Sequence, residues 1–541
     1  MTGLSVPTPE FEYDPSDNWY DWVISSKEQL TPEELLSGLL EYGLFAEKVP
    51  PCFTSKGLAT TQVVNGLRED WESEKNLGKW SHDYIRYDSL RDINIPRHLG
   101  IPHPEAYSLQ SLVIQKYWKE IVTHSNQPFP RVSRIYVRHS GDGCIFDMNY
   151  KGEERFPNEE EEICWRMSAK YVVKADIASC FPSIYTHAIP WALHTKSEAK
   201  AKTSDLKLYG NLLDKCTQNL RDKQTNGLLI GPVTSNIISE IILTSIDVEL
   251  QAKKHIKLVR HIDDYTFYAE NFEEAEIFLK DLRVALRGFE MSMNDKKTRI
   301  SVLPKPTEEN WILALMRFVF PGQGEISFSI IRSFLDLALE CAQAADKSSP
   351  LNYAFKVIAG KDKDDPRQLN IRAKRLYAQE AMNLAYAYPY LVPLLDEMVF
   401  ERYWHDGLKK KIADFSALLL KLGLSKLYPD TIAHAIFFAL KYEFQINVED
   451  NTLLEVVGLD DCLTNVLLLK YAIKQNKSEV EQKLICRANK IKLADKREAD
   501  KNWLLIYQLW SEEDLDKNGQ KFLAKLKAED FKFVVVNKTT M

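Results

Sequence analysis

Two adjacent carboxylates, Asp263 and Asp264, interrupt the strand-forming run VRHIDDYTFY from Val259 to Tyr268. Charge in such a run is costly to bury without a cationic partner, so it reads as strand, tight turn and strand with the acids at the tip. Upstream, in YVVKADIASCFPSIYTH from Tyr171 to His187, an apolar strand over Tyr171 to Val173 leads to one further acid, Asp176. A small-residue turn, Phe181 and Pro182 follow it. Acids so far apart in the chain meet only across a folded sheet. Three carboxylates on neighbouring strand ends can hold two Mg²⁺ ions about 3.5–4 Å apart, the arrangement for in-line phosphoryl transfer, with Mn²⁺ as the alternative ion. One ion lowers the pKa of an attacking hydroxyl, and the other holds the leaving oxygens. An Asp-Asp pair in a turn is also a common surface feature, so the chemistry depends on the elements around it.

Between the acids lies QTNGLLIGPVTSNIISEIILTSID, Gln224 to Asp247. A polar turn runs through Gly227 and Gly231-Pro232 into a helix whose Ile237, Ile238, Ile241 and Ile242 recur at helical spacing. Gly231 lets the backbone approach a flat ligand closely, and Pro232 suits a first helical turn. The plain alternative is a Gly-Pro turn before an amphipathic helix. Ahead of Asp176, RVSRIYVRHSGDG from Arg131 to Gly143 alternates in strand fashion. Arg134, Tyr136 and Arg138 share one face, which suits phosphate, and Gly-Asp-Gly signals a hairpin turn. FDMNYKGEERF would be the returning strand, and Glu159 to Glu162 a solvated loop.

Taken in order, acid strand, glycine turn with helix, and Asp-Asp hairpin resemble motifs A, B and C of the reverse transcriptase palm. GFEMSMNDKKTRI, Gly288 to Ile300, resembles motif D. The forms GLLIGPVTSNIISEIIL and IDDY, with INIPRHLGIPHPEAYSLQSLVIQKYW upstream, are similar to the abortive-infection branch of bacterial defence-associated reverse transcriptases. The resemblance covers Tyr84 to Pro321. It implies Asp176, Asp263 and Asp264 as catalytic, metal-binding carboxylates, with the Ile177 carbonyl as a further metal ligand. It also implies Phe181 as a gate against the ribose 2′-hydroxyl, favouring dNTPs, and Lys297 beside the leaving pyrophosphate. Arg134, Arg138 and Gly231 complete the nucleotide-binding set. Two departures stand out. His261, preceded by Arg260, takes the place of the usual motif C tyrosine, and Ile230 that of a glutamine in Pro-Gln-Gly. All three become candidate primer or template contacts. Members of this family synthesise DNA with an RNA template, without a conventional template, or from a protein hydroxyl, and the sequence leaves these open. A noncoding RNA, a companion protein and a homo- or hetero-oligomer are the partners the resemblance implies.

The fold class expected is α+β: fingers and palm with an antiparallel sheet, then a large all-α, solenoid-like C-terminal domain. At about 150 residues per domain, 541 residues suggest three or four units. The divisions are an N-terminal extension over 1–83, fingers and palm over 84–325, and helices over 326–541. Thr31 and Glu34 form a capping box for a helix from Pro32 to Tyr42. Beyond Ser327, apolar residues recur three and four apart almost throughout. The closing FKFVVV reads as a short strand with an edge for pairing. A net charge of −7 excludes a strongly basic coat but not a local basic channel within 70 Lys and Arg. Eight cysteines without Cys-x-x-Cys spacing indicate neither zinc site nor disulfide framework. No apolar run spans a membrane and no signal peptide is evident, so the expected compartment is the cytoplasm. The contrasting class is a catalytically silent palm that binds RNA or a partner polymerase as a scaffold. Three mutually repelling acids would serve no purpose there.

Overall fold

Four antiparallel strands form the sheet that carries the acids, in the order β6-β7-β5-β8. They are β5 (Tyr171–Asp176), β6 (Leu258–His261), β7 (Asp264–Ala269) and β8 (Arg299–Val302). The computed structural model describes residues 30–72, 77–92, 95–128, 131–139, 143–147, 159–306, 309–322, 324–360 and 366–537. Val172, Val173 and Ala175 of β5 are buried, as are Tyr265 and Phe267 of β7. The helices Val233–Ala252 and Phe272–Gly288 pack against one another, and the latter also lies against β5 and β7. In the first, Ile237, Ile238, Ile241, Ile242 and Ile246 are all buried, which makes it a core helix rather than an amphipathic surface one.

A second antiparallel pair stands ahead of this sheet: β1 (Tyr84–Asp92) with β2 (Ile95–Pro102). The third pair, β3 (Tyr136–Val137) and β4 (Phe146–Asp147), is only two residues long. The expected alternation over Arg131 to Gly143 is therefore mostly not strand. Residues 132–134 instead lie parallel to β6, with Arg134 N–H donating to the Arg260 carbonyl and Arg260 N–H to the Val132 carbonyl, both at 2.9 Å. The returning strand is described only over Phe146–Asp147, since 148–158 lie outside the described residues. Glu159–Ser168 is a helix and not the expected loop.

The N-terminal helix Pro32–Tyr42 forms as its capping box requires: Thr31 and Glu34 bond reciprocally. From Phe328 onward the chain is helical, with sequential neighbours such as Leu408–Lys426 and Pro429–Lys441 packed together. These helices do not stand apart. The Pro429–Lys441, Cys462–Lys474 and Lys496–Lys501 helices all pack on β1. FKFVVV does pair, through an antiparallel bridge between Val534 and Phe53. One core runs from Leu30 to Val534. No helix among the described residues is long and apolar enough to cross a membrane.

Candidate active site

The turn between β6 and β7 consists of Ile262 and Asp263, so the tip holds one of the two acids and Asp264 opens β7. Asp264 is in register with both His261 and Asp176. The ladder thus sets Asp176 and Asp264 side by side at the ends of β5 and β7, and the Asp263 carbonyl accepts from Ile177 N–H at 3.2 Å. Ile262 has φ +55°, a left-handed conformation that a β-branched residue adopts only where its surroundings impose it. The segment from Gly288 to Ile300 closes the other side. Asn294 N–H donates to the Asp176 carbonyl at 2.7 Å, its Nδ2 to Asp176 Oδ2 at 3.3 Å, and Lys297 Nζ lies 2.5 Å from the same oxygen.

These acids carry more negative charge than they are given partners for. Partial burial, and then Asp176, push the Asp263 carboxyl up, while Lys297 and Arg91 pull it down. Partial burial, then Asp263 and Asp176, push Asp264 up to about 6, although its side chain still meets solvent. Lys297 is the cation in ion-pair contact with Asp176. Carboxylate oxygens are hard donors, and three acids this short of positive charge suit a divalent ion such as Mg²⁺. Among the described residues, the metal-capable side chains whose ligand atoms already lie within 4.8 Å of one another are a different group, His82, His103 and Glu105. Its nitrogens are committed elsewhere. His82 bonds Asp500 at 2.9 Å and Glu105 at 2.7 Å, and His103 accepts from Glu105 N–H and meets Gln520 at 3.0 Å. That cluster is a polar joint between chain ends rather than an ion site.

Phe181 lies in the short helix Cys180–Ser183, half-buried. Its carbonyl accepts from Leu228 N–H at 2.8 Å, and Gly227 N–H donates to the Ile184 carbonyl, so the glycine turn is stitched to the acid strand's own loop. Gly231, at φ +129°, approaches Ala46 rather than open space: a Cβ there would sit 3.0 Å from the Ala46 Cβ. The side of Gly231 where a Cβ would stand is taken up by packing against Ala46. Ile230 is half-buried, with its carbonyl accepting from Gly100 N–H of β2.

The basic candidates fare differently. Arg260, expected at a primer or template, has no exposure; a charged residue inside a strand reads as solvent-facing unless its counter-ions are known. It donates to Asp247 at 2.7–3.1 Å, to Glu240 at 2.8 and 3.2 Å, and to the Ile262 carbonyl at 2.9 Å. Burial pulls its guanidinium down, but Asp247 and Glu240 outweigh that and hold it well above its usual range. Arg134, expected to bind nucleotide, is 2% exposed and 4.0 Å from Glu162. It shares no outward face with Arg138, which is half-buried and lies over the Tyr136 ring beside Arg131. His261 is half-buried and pushed down to about 4 by burial and then by Arg134, so it is neutral near pH 7.

Two exposed arginines that were not singled out, Arg91 and Arg97, lie within electrostatic reach of Asp263. Arg91 and Arg97 project from the β1–β2 hairpin. Partial burial and then Arg91 lower Arg97, while Asp263 pulls it back up, and Arg91 in turn lowers Asp263. The signal was present in LRDINIPRHLG, a hairpin with an arginine near each side of its turn. Asn294 was likewise visible as the polar residue before Lys297-Thr298.

Residues 112–343 match the family model for reverse transcriptase (RNA-dependent DNA polymerase). The chain carries a reverse transcriptase domain. This domain, a nucleotidyltransferase, contains the whole acid trio and ends within the helix Phe328–Ala345. Solved structures similar to the chain include apo telomerase from Candida tropicalis, at 10% identity and TM-score 0.30, covering 82% of this chain and 76% of that one. Telomerase from the same organism, in complex with the TWJ fragment of telomeric RNA, aligns at 12% identity and TM-score 0.29, over 77% and 67%. None of the curated proteins matches the chain.

Proposed function

We propose that the reverse transcriptase domain joins dNTPs into DNA, with Asp176, Asp263 and Asp264 as its catalytic carboxylates. The observation that carries this is the register of Asp176 with Asp264 beside Asp263, inside the region that matches the family model. Two Mg²⁺ ions held by these carboxylates and the Ile177 carbonyl would supply activation of a 3′-hydroxyl and neutralisation of the leaving pyrophosphate. The chain's own residues do the rest. Arg91 and Arg97 offer guanidinium groups to the triphosphate. Lys297, already beside Asp176, neutralises charge as the pyrophosphate departs. Phe181, anchored by the Leu228 bond, bars the ribose 2′-hydroxyl. His261 presents a neutral ring next to the acids, and with Ile230 it stands as the remaining primer or template candidate. We assign residues 84–325 to fingers and palm and 326–541 to the helical domain. The GLLIGP and IDDY forms support membership of the abortive-infection branch and a role in defence against phage, with nucleic acid as the partner.

The test is incorporation of each labelled dNTP by purified protein with Mg²⁺, with and without nuclease pretreatment, beside Asp263→Ala. Synthesis that needs Asp263 establishes the reading, and loss after nuclease identifies a bound nucleic acid as template or primer. No incorporation in any arm, with folded protein, overturns it in favour of a silent scaffold.

A further inference from the structure

The β1–β2 hairpin carries Arg91 and Arg97, yet what holds its first strand comes largely from the far end of the chain. Asp430, in the first turn of the helix Pro429–Lys441, is 1% exposed. It accepts from Tyr87 Oη at 2.7 Å, from Leu90 N–H at 3.2 Å and from Ser89 Oγ at 3.4 Å. Its own helix adds His434, whose Nδ1 is 3.1 Å from Oδ1. Tyr87, Ser89 and His434 are themselves buried. A buried carboxylate needs its donors, and three of these belong to the four residues immediately before Arg91. The start of the same strand is fixed in the same way. Asp500 accepts from Asp83 N–H at 3.1 Å and bonds His82. The opposite strand is held by the palm: Gly100 N–H donates to the Ile230 carbonyl, and a Cβ on Gly100 would meet Leu229 Cδ2 at 2.7 Å. The hairpin is thus clamped between the C-terminal helices and the glycine turn, and its Arg91 and Arg97 are exposed.

We propose that Asp430 is a positioning residue for the incoming nucleotide: through β1, the C-terminal helical region sets where Arg91 and Arg97 stand relative to the acid trio. This rests on the polymerase reading for the identity of the ligand. It gives the helical region a task in nucleotide binding without contact to the reacting atoms. Anything that shifts the Pro429–Lys441 helix shifts the arginines.

The test uses the full chain with Asp430→Asn and the milder Tyr87→Phe. A hydrogen bond to a buried charge supports an expected rise in dNTP KM of about tenfold for Asp430→Asn, with kcat within about twofold. Tyr87→Phe gives a smaller rise. Arg97→Ala then weakens binding less in the Asp430→Asn background than in the wild type. Amide hydrogen exchange over β1 and β2 accelerates in both variants while the sheet β6-β7-β5-β8 is unchanged. An unchanged KM with a reduced fraction of folded enzyme would make Asp430 a plain core carboxylate. Should the wild type incorporate nothing, the polymerase reading fails by itself, and unchanged exchange in β1 and β2 still overturns the clamp.

Discussion

Two sets of acids flank the β6–β7 hairpin, and the protein treats them in opposite ways. Asp247 and Glu240, on the helix Val233–Ala252, surround Arg260. Burial pushes Asp247 up to about 6 against the pull of Arg260, and Tyr265 and Ser133 supply further donors to the pair. Asp176, Asp263 and Asp264, one turn away, share Lys297 and the more distant hairpin arginines. The first set is a closed circuit that holds the Ile262 carbonyl and so fixes the turn. The second is left open, and what it lacks is positive charge. Structural acids are satisfied within the fold; acids kept for chemistry are left for a ligand to satisfy.

Removing a member from each set tests that contrast. Asp263→Ala or Asp176→Ala is expected to lower dNTP incorporation by about a thousandfold or more with the circular dichroism spectrum unchanged. Residual synthesis near wild-type level by either one would erase the distinction. Arg260→Met, by contrast, strands the buried Asp247 and the half-buried Glu240 and is expected to cost about 3–5 kcal/mol in urea denaturation. A loss under about 1 kcal/mol would show that the closed circuit is not what fixes the hairpin.

Acidity separates the sets as well. Mn²⁺ affinity, read by titration, should fall by about tenfold per pH unit as pH drops below about 6, because Asp264 then takes up a proton. A flat profile between pH 5 and 7 would remove Asp264 from the ion-binding set. The smallest effect is on stability without metal. Asp264 has a folded-state pKa above its unfolded one, so its charge opposes folding above about pH 6 and that opposition disappears as pH falls toward the unfolded value. Asp264→Asn should therefore raise the Tm of metal-free protein slightly at neutral pH, with the gain vanishing near pH 4. A lower Tm at pH 7 would mean that the carboxylate makes bonds the fold depends on.

The open set was legible from sequence because its chemistry is written in local patterns: acids inside strand-forming runs, glycines before a helix, Thr31 with Glu34 at a helix start. The closed set was not. Arg260 read as a primer or template contact because its partners lie on another element, though Glu240 and Asp247, two turns apart in an otherwise apolar helix, were a usable sign. The shared face expected for Arg134 and Arg138 fails for the opposite reason. Alternation over Arg131 to Gly143 assumed a free strand, whereas residues 132–134 lie along β6 and bury Arg134. The C-terminal helices were visible from their periodicity, but their grip on β1 depends on single residues such as Asp430, which carry no pattern.

The bond from Tyr87 to Asp430 spans 343 positions. A ribosome adding about 5–20 residues per second needs roughly 20–70 s to cover that distance. Throughout that interval Tyr87, Ser89 and the Leu90 amide lack the carboxylate they meet in the folded protein, and only the arrival of the Pro429–Lys441 helix supplies it. Contacts of such range also make folding slow. The hairpin that carries Arg91 and Arg97 is therefore synthesised well before the helix that completes it, and reaches its final shape only once that helix arrives.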